Sequence, residues 1–228
     1  MKHIGIVACS AEGAALCYQS ICRQALEHLG DNDHPRITLD SIPLARWMPS
    51  LAAGDWAAVA RVMLDSARVL ARAGADFAIC PDNTVHRAWS LVQAETPIPW
   101  LHIARIVGAE ARERGYRRVG LLGTRFTMNG PVYPDELAAL DIATVVPEPT
   151  DLETVDRIIF TELVAGVITE PSRRAYAEVI ERLRARGCDT VALACTEIPL
   201  LVRPEDSVLP TLDSTRLLAE AALREALA

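Results

Sequence analysis

Short apolar runs along the chain alternate with longer stretches in which apolar residues recur at helical spacing. The short runs predict strands at 3–7, 36–42, 76–80, 118–122, 142–146 and 190–194. The longer stretches predict helices at 14–29, 56–73 and 106–114, within 151–186, and at 214–227. Strands that alternate with helices form parallel sheets with helices on both faces, so the pattern predicts an α/β fold.

Two pairs of segments repeat in the same order. The segment HIGIVACS (3–10) resembles RVGLLGTR (118–125) at an offset of 115 residues, and AGADFAIC (73–80) resembles RGCDTVAL (186–193) at an offset of 113. Generic strand composition would also produce part of this similarity. The nearly equal offsets favour two pseudo-symmetric lobes, each a parallel sheet flanked by helices. We place the N-terminal lobe at 1–97 plus 205–228 and the C-terminal lobe at 98–204, and expect an active site in the cleft between them.

Polar triplets follow two of the predicted strands. The second offset aligns residues 82–84 (Asp-Asn-Thr) with residues 195–197 (Cys-Thr-Glu) without a gap. In open α/β sheets, ligands bind outside the carboxyl ends of the strands. Helices predicted at 85–93 and 198–202 follow the triplets, and helix N-termini favour anions. The two triplets are therefore candidates for opposite walls of one site.

Cys195 is the strongest single candidate for chemistry, because a thiol beside a helix start tends to have a lowered pKa. The alternative is a buried structural thiol. Asp82 is either a helix N-cap or Asx-turn residue, or a general base or a group that orients the opposite thiol. Cys80, two residues earlier, is interpreted as a structural residue inside its strand.

Hydroxyl and amide side chains near these strand ends are suited to bind a carboxylate. Ser10 lies in the turn after the first strand, and Asn83, Thr84 and Thr196 are donors for which helix capping is the alternative role. Glu197 either complements the dipole of the following helix or orients a bound ammonium group.

The remaining charged and titratable side chains carry weaker signals. Arg46 either binds a second carboxylate of the substrate or is solvated, and His86 and His102 are interpreted as scaffold histidines. The five histidines are scattered, with no H-E-x-x-H motif and no Cys/His cluster, so we expect no metal.

Composition limits the class of protein. Half of the 228 residues are apolar, which is typical of a globular chain, and the net charge of −7 argues against nucleic acid or an acidic membrane as a partner. No dinucleotide-binding or P-loop motif is present, so a nucleotide cofactor has no support. No apolar run reaches membrane-spanning length and the six cysteines are sparse, so we expect a cytoplasmic protein with reduced thiols.

Five segments resemble motifs of the aspartate/glutamate racemase superfamily, and most closely its aspartate racemase branch. They are ACSAEGAALCYQ (8–19), DNTVH (82–86), VGLLGTRFTMNGPVY (119–133), VALACTEIPLL (191–201) and PTLDSTRLLAEAAL (210–223). The resemblance implies two pseudo-symmetric α/β lobes, a homodimer and an isomerase that works without pyridoxal phosphate or another cofactor. Its implied activity is racemisation or epimerisation of an amino acid or a related α-substituted carboxylate.

The same resemblance assigns roles residue by residue. In such an enzyme one acid/base group removes the α-proton and a second returns a proton on the opposite face. Cys195 would be the second acid/base group, and Glu197 would support its motif. The residues that would line the carboxylate site are Ser10, Asn83, Thr84, Thr124, Thr127 and Thr196.

The chain departs from the family pattern at three positions. Asp82 stands where two-cysteine members have their first cysteine, and Cys80 is displaced by two residues, at about 3.3 Å per residue of strand. We therefore expect the acid/base pair to be Asp82 and Cys195. Thr169 replaces a lysine that holds the distal carboxylate in aspartate racemases, and Arg105 replaces an acid. Strict specificity for aspartate is accordingly not expected.

Two other functions fit the same residues. One is a single-thiol isomerase or decarboxylase that uses Cys195 alone, with Asp82 orienting substrate or water. The other is a non-catalytic binding protein that retains the pocket.

Overall fold

A computed structural model describes all 228 residues, which form two compact units. Unit 1 comprises Met1–Ile103 and Thr215–Ala228, and unit 2 comprises Ala104–Ser214. The boundaries predicted from the sequence lie after residues 97 and 204, six and ten residues before those of the units. The second difference arises because residues after 204 include a strand that pairs within unit 2.

Unit 1 is built on a three-stranded parallel sheet with the strand order β2-β1-β3. Its strands are β1 (Ile4–Ala8), β2 (Ile37–Ser41) and β3 (Phe77–Ile79). Its helices are α1 (Ala11–Leu29), α2 (Leu44–Ala53), α3 (Trp56–Arg72) and α4 (Trp89–Glu95), and a 3-10 turn at Thr84–Ala88 precedes α4. Helix α5 (Ile103–Glu113) begins at the last residue of the first segment of unit 1.

The central strand of unit 1 is buried along its whole length. Helix α3 packs against it with one apolar face, from which Met63, Ala67 and Leu70 are fully buried or nearly so. Helix α3 approaches β1 closely at Gly5, where an added Cβ would lie 3.0 Å from the Leu70 side chain. The glycine thus lets α3 lie directly on β1.

Unit 2 contains a four-stranded parallel sheet with the strand order β5-β4-β6-β7. Its strands are β4 (Arg118–Gly123), β5 (Ala143–Val145), β6 (Thr190–Ala194) and β7 (Thr211–Asp213). Its helices are α6 (Arg125–Met128), α7 (Val132–Ala138), α8 (Pro149–Thr161), α9 (Glu170–Ala185) and α10 (Ile198–Leu201), with 3-10 turns at Leu163–Ala165 and Pro204–Asp206. Helix α11 (Ser214–Leu227) starts at the last residue of unit 2 and lies mainly in unit 1.

The two sheets share one topology, in which the first strand is central, the second lies on one side and the third on the other. The prediction of an α/β fold with two helix-flanked parallel sheets is confirmed.

Matching contacts support the repeat at the level of single residues. The Asp76 carboxylate accepts the His3 N–H at 2.6 Å, and the Asp189 carboxylate accepts the Arg118 N–H at 3.2 Å. Each aspartate lies just before the third strand of its sheet, and each donor lies at the start of the first. The two pairs are related by the offsets of 113 and 115 residues noted above.

The repeat also includes a fourth strand position, which lies beside the third strand in each sheet. In unit 1, Ala78 forms an isolated parallel bridge to Trp100, and its N–H donates to the Pro99 carbonyl at 2.8 Å. In unit 2, the Val191 N–H donates to the Pro210 carbonyl at 3.0 Å, where β7 begins. Each of these segments leads directly into a long helix, α5 or α11.

Helices α2, α6 and α7 were not predicted from the apolar pattern. Helix α2 contains Pro49, and α6 and α7 are separated by Gly130 and Pro131, so no long helical period is present in either region. No helix of the protein is both long and apolar enough to cross a membrane.

Candidate active site

The carboxyl ends of β1 and β3 lie at the same edge of the unit 1 sheet, because the two strands are parallel neighbours with Ile6 opposite Ile79. Ser10 follows β1 and is the N-cap of α1, with its Oγ accepting the Gly13 N–H at 3.2 Å. Residues 82–84 follow β3 at this same edge. The unit 1 sheet therefore brings Ser10 and the first polar triplet to one edge.

Asp82 is held at the start of the 3-10 turn by two local contacts. Its Oδ1 accepts the Val85 N–H at 3.1 Å, and its carbonyl oxygen lies 2.7 Å from Nδ1 of His86. The capping contact expected as one role of Asp82 is thus present. The next two residues of the triplet, Asn83 and Thr84, are buried.

The Cys80 thiol is fully buried, which agrees with its interpretation as a structural residue. Burial, followed by the negative charge of Asp82, raises the pKa of this thiol well above its ordinary value. A raised pKa disfavours the thiolate, which is the form of a cysteine that acts as a base or nucleophile.

Arg46 lies after β2, and its position agrees with the solvated alternative of the sequence interpretation. It lies in the first turn of α2 and is exposed to solvent. Its backbone N–H donates to the Pro43 carbonyl at 2.8 Å.

The carboxyl ends of β4 and β6 are adjacent in unit 2, with Gly123 opposite Ala194. A Cβ on Gly123 would lie 2.8 Å from the Ala194 carbonyl oxygen and 3.2 Å from Cβ of Thr127. Only glycine permits this approach. Thr124 is the N-cap of α6, and its Oγ1 lies 3.3 Å from Oγ1 of Thr127, which is buried. Both threonines thus lie beside the end of β6.

Cys195, Thr196 and Glu197 form a buried network directly after β6. The Cys195 thiol donates to Glu197 Oε2 at 3.1 Å, and the Thr196 hydroxyl donates to the same oxygen at 2.8 Å. Cys195 is 9% exposed, and Glu197 is 3% exposed. A buried carboxylate that accepts two hydrogen bonds from neighbouring side chains fixes both donors, and it is also a potential proton acceptor for the thiol.

The phenol of Tyr176, on α9, lies near this network and was not identified from the sequence. Burial is the main cause that raises its pKa well above the ordinary value, and electrostatic interaction with Cys195, Asp156, Glu162 and Glu197 adds to the effect. Its hydroxyl donates to the Val155 carbonyl at 3.3 Å. Tyr176 therefore places a neutral phenol beside the acidic side chains of this region. A tyrosine on a mainly polar helix gives no sequence signal for such a position.

Thr169 and Arg105, the other departures from the family pattern, have local partners in unit 2. Thr169 is the N-cap of α9, and its hydroxyl donates to Glu162 at 3.1 Å. Arg105 pairs with Glu136 at 2.9 Å. Both side chains therefore have structural contacts of their own.

The strand ends offer hydroxyl donors, two carboxylates and one thiol, a set suited to proton transfer at a carbon beside a carboxylate. No group of three or more His, Cys, Asp or Glu side chains is arranged to hold a metal ion.

Comparison with known proteins shows that the chain is similar to amino-acid racemases. The family model described as Asp/Glu/Hydantoin racemase matches residues 4–222. The broad specificity amino-acid racemase RacX of Bacillus subtilis (strain 168) is 22% identical over 211 residues, which cover 91% of this chain and 88% of RacX.

Two solved structures are similar over their full length. A Yersinia pestis protein described as a candidate Asp/Glu racemase is 35% identical with a TM-score of 0.91, and all of both chains is covered. An aspartate racemase homologue from Pyrococcus horikoshii OT3 is 27% identical with a TM-score of 0.88, again over all of both chains. Since the family model covers nearly the whole sequence, the chain belongs to the Asp/Glu/Hydantoin racemase family.

Proposed function

We propose that the protein is a cofactor-independent racemase or epimerase of an amino acid or a related α-substituted carboxylate. Asp82 and Cys195 are the two acid/base groups, and they act on opposite faces of the α-carbon. The observation that carries this proposal is the hydrogen bond from the Cys195 thiol to the buried carboxylate of Glu197. A thiol with a carboxylate partner at the end of a parallel strand is equipped for proton transfer.

The Cys195 half of the reaction uses Glu197 as its partner. Transfer of the thiol proton to Glu197 leaves a thiolate, which removes the α-proton from one enantiomer, while Asp82 in its acid form protonates the opposite face. In the reverse direction the Asp82 carboxylate removes the proton and the Cys195 thiol returns one. Thr196 donates to the same Glu197 oxygen and holds the carboxylate in place during both transfers.

Loss of the α-proton moves negative charge onto the substrate carboxylate, which becomes enolate-like. Preorganised hydrogen-bond donors stabilise such charge. The proposed donors are the side chains of Ser10, Asn83, Thr84, Thr124 and Thr127. Their support is that each lies after the carboxyl end of a parallel strand in its own unit.

Two departures from the family pattern, Thr169 and Arg105, bear on the substrate class. Thr169 and Arg105 both have local partners in place of the groups found in strict aspartate racemases, so we propose a substrate range broader than aspartate. The exposed position of Arg46 gives it less support as a ligand for a second carboxylate.

A homodimer and a cytoplasmic location are further parts of the proposal. The homodimer rests on the family resemblance and is checked by light scattering on the purified protein. The cytoplasmic location is supported by the cysteine content, six cysteines in 228 residues with no C-x-x-C pair, as is usual in a reducing compartment.

The activity is tested by incubating the protein in D₂O with both enantiomers of each chiral proteinogenic amino acid. Mass spectrometry then measures deuterium at Cα, and chiral chromatography measures inversion. The proposal expects at least one amino acid for which both enantiomers acquire deuterium and interconvert without added cofactor. Absence of exchange across the whole panel would contradict racemisation of these amino acids.

A single-thiol isomerase or decarboxylase is the second candidate. The observation that favours it is the contact from Asp82 Oδ1 to the Val85 N–H, because a carboxylate used for capping need not exchange a proton. This candidate expects Asp82→Asn to retain most of its turnover, whereas racemisation with two bases does not.

A further inference from the structure

The imidazole of His86 is buried on the 3-10 turn that follows Asp82, with 2% of the residue exposed. Its Nδ1 lies 2.7 Å from the Asp82 carbonyl oxygen, and its Nε2 lies 3.5 Å from the backbone nitrogen of Ile103. A carbonyl oxygen only accepts a hydrogen bond and an amide N–H only donates one. Both contacts are made together only by the neutral ring that carries its proton on Nδ1.

Aromatic neighbours fix the plane of this ring. The His102 ring packs edge-on at a centroid distance of 4.7 Å, and the Trp89 ring stacks at 6.3 Å. Trp89 in turn packs edge-on against Trp100 at 6.3 Å. Because these contacts hold the His86 ring in one orientation, its Nδ1 points in one direction, toward Asp82.

The second nitrogen of His86 connects the turn to another part of the chain. Ile103 is the first residue of α5, so its N–H has no acceptor within that helix. Nε2 of His86 supplies the acceptor. The imidazole therefore joins the peptide of Asp82 to Ile103, the first residue of α5.

Asp82 is consequently held from two directions. Its side chain is bonded to the Val85 N–H within the turn, and its backbone carbonyl is bonded to His86. We propose that His86, as the neutral Nδ1–H tautomer, is a positioning residue that sets where the Asp82 carboxylate points. This inference rests on the proposed function, in which Asp82 exchanges a proton with the substrate.

Positioning of this kind affects the rate in one direction more than the other. A misplacement of about 1 Å can cost on the order of 100-fold in rate. If His86 acts through Asp82, its loss slows exchange from the enantiomer that Asp82 deprotonates. Loss of a residue with a general structural role slows exchange from both enantiomers alike.

Two substitutions of His86 test its two ring nitrogens separately. His86→Asn keeps an N–H donor close to the position of Nδ1, whereas His86→Gln places its amide close to the position of Nε2. With the fastest-exchanging amino acid of the D₂O panel, we expect His86→Gln to lose roughly 10- to 100-fold in kcat for one enantiomer, with KM changed less than about threefold. The affected enantiomer is the one that Asp82→Asn also slows. His86→Asn should recover several-fold of the lost rate.

A matched control and a measurement without substrate complete the test. His28→Gln changes an exposed histidine of unit 1, on α1, and should leave both exchange rates as they are. Nitrogen-15 NMR of the unliganded wild-type protein should show His86 neutral with its proton on Nδ1. This measurement holds even if His86→Gln fails to fold.

The outcomes distinguish failure of the inference from failure of the proposed function. An Nε2–H tautomer, or equal losses for both enantiomers in His86→Gln, overturns the positioning role while the asymmetric effect of Asp82→Asn still supports the proposed function. Normal exchange from both enantiomers in Asp82→Asn overturns the two-base proposal, and the positioning role of His86 with it.

Discussion

Replacement of Glu197 by glutamine removes a charge from the centre of the unit 2 network with almost no change in shape. The wild-type carboxylate accepts the thiol of Cys195 at 3.1 Å and the hydroxyl of Thr196 at 2.8 Å, both at Oε2. The amide oxygen of Glu197→Gln can still accept hydrogen bonds, but it is not a base. The variant therefore isolates the proton-accepting role of Glu197 from its packing role.

The expected size of the effect follows from these contacts. A hydrogen bond to a charged group contributes about 1.5–3 kcal/mol, roughly twice a neutral one. General acid–base catalysis typically contributes about 10²–10⁴-fold, and each tenfold corresponds to about 1.36 kcal/mol. We expect Glu197→Gln to lose at least roughly 100-fold in exchange from the enantiomer that Cys195 deprotonates, or about 2.7 kcal/mol of barrier.

The assay is deuterium incorporation at Cα from each enantiomer, measured with protein whose fold is checked by urea denaturation. Glu181→Gln is the control, because Glu181 lies on α9 in the same unit and pairs with Arg184 on the surface. Its exchange rates should match those of the wild type. Exchange by Glu197→Gln within about tenfold of wild type for both enantiomers would refute the reasoning, since loss of the proton acceptor is expected to cost at least roughly 100-fold.

Three further substitutions test the scaffold around the strand ends. Gly123→Ala should destabilise the protein by about 2 kcal/mol or more in urea denaturation, because the new Cβ would lie 2.8 Å from the Ala194 carbonyl oxygen; unchanged stability would show that β4 and β6 can separate. Cys80→Ser should lower stability by about 1–2 kcal/mol but keep the ratio of the two exchange rates, and loss of exchange from one enantiomer alone would make Cys80 the first base. Asp189→Ala should cost about 1–3 kcal/mol, because its carboxylate accepts backbone N–H groups at the start of β4; a loss below about 0.5 kcal/mol would contradict this account.

Much of the fold could be predicted because the apolar pattern and the repeat agree. Strand β6 and helix α11 have the predicted bounds, and the other long elements differ by a few residues. The order of strands within each sheet also follows the repeat, with β1 and β4 central. Helix α2 was missed because prolines precede it and lie within it, and β7 because its sequence, Thr-Leu-Asp, contains one apolar residue and forms no apolar run.

The candidate site was predictable in part for a similar reason. Residues that follow parallel strands meet at one edge of a sheet, so the polar triplets could be found from the offset alone. Tyr176 was not identified, and His86 was interpreted only as a scaffold histidine, because the position of Tyr176 near Cys195 and the contact of His86 with Ile103 arise from packing between separate elements. Spacing along the chain carries no information about such contacts.

Deuterium exchange at Cα from each enantiomer, compared between Cys195→Ser and Asp82→Asn, tests the two-base mechanism most directly. The account predicts that each variant slows exchange from a different enantiomer, by at least roughly 100-fold, while the other enantiomer is affected less. Wild-type exchange from both enantiomers in Cys195→Ser, or suppression of the same enantiomer by both substitutions, would contradict it.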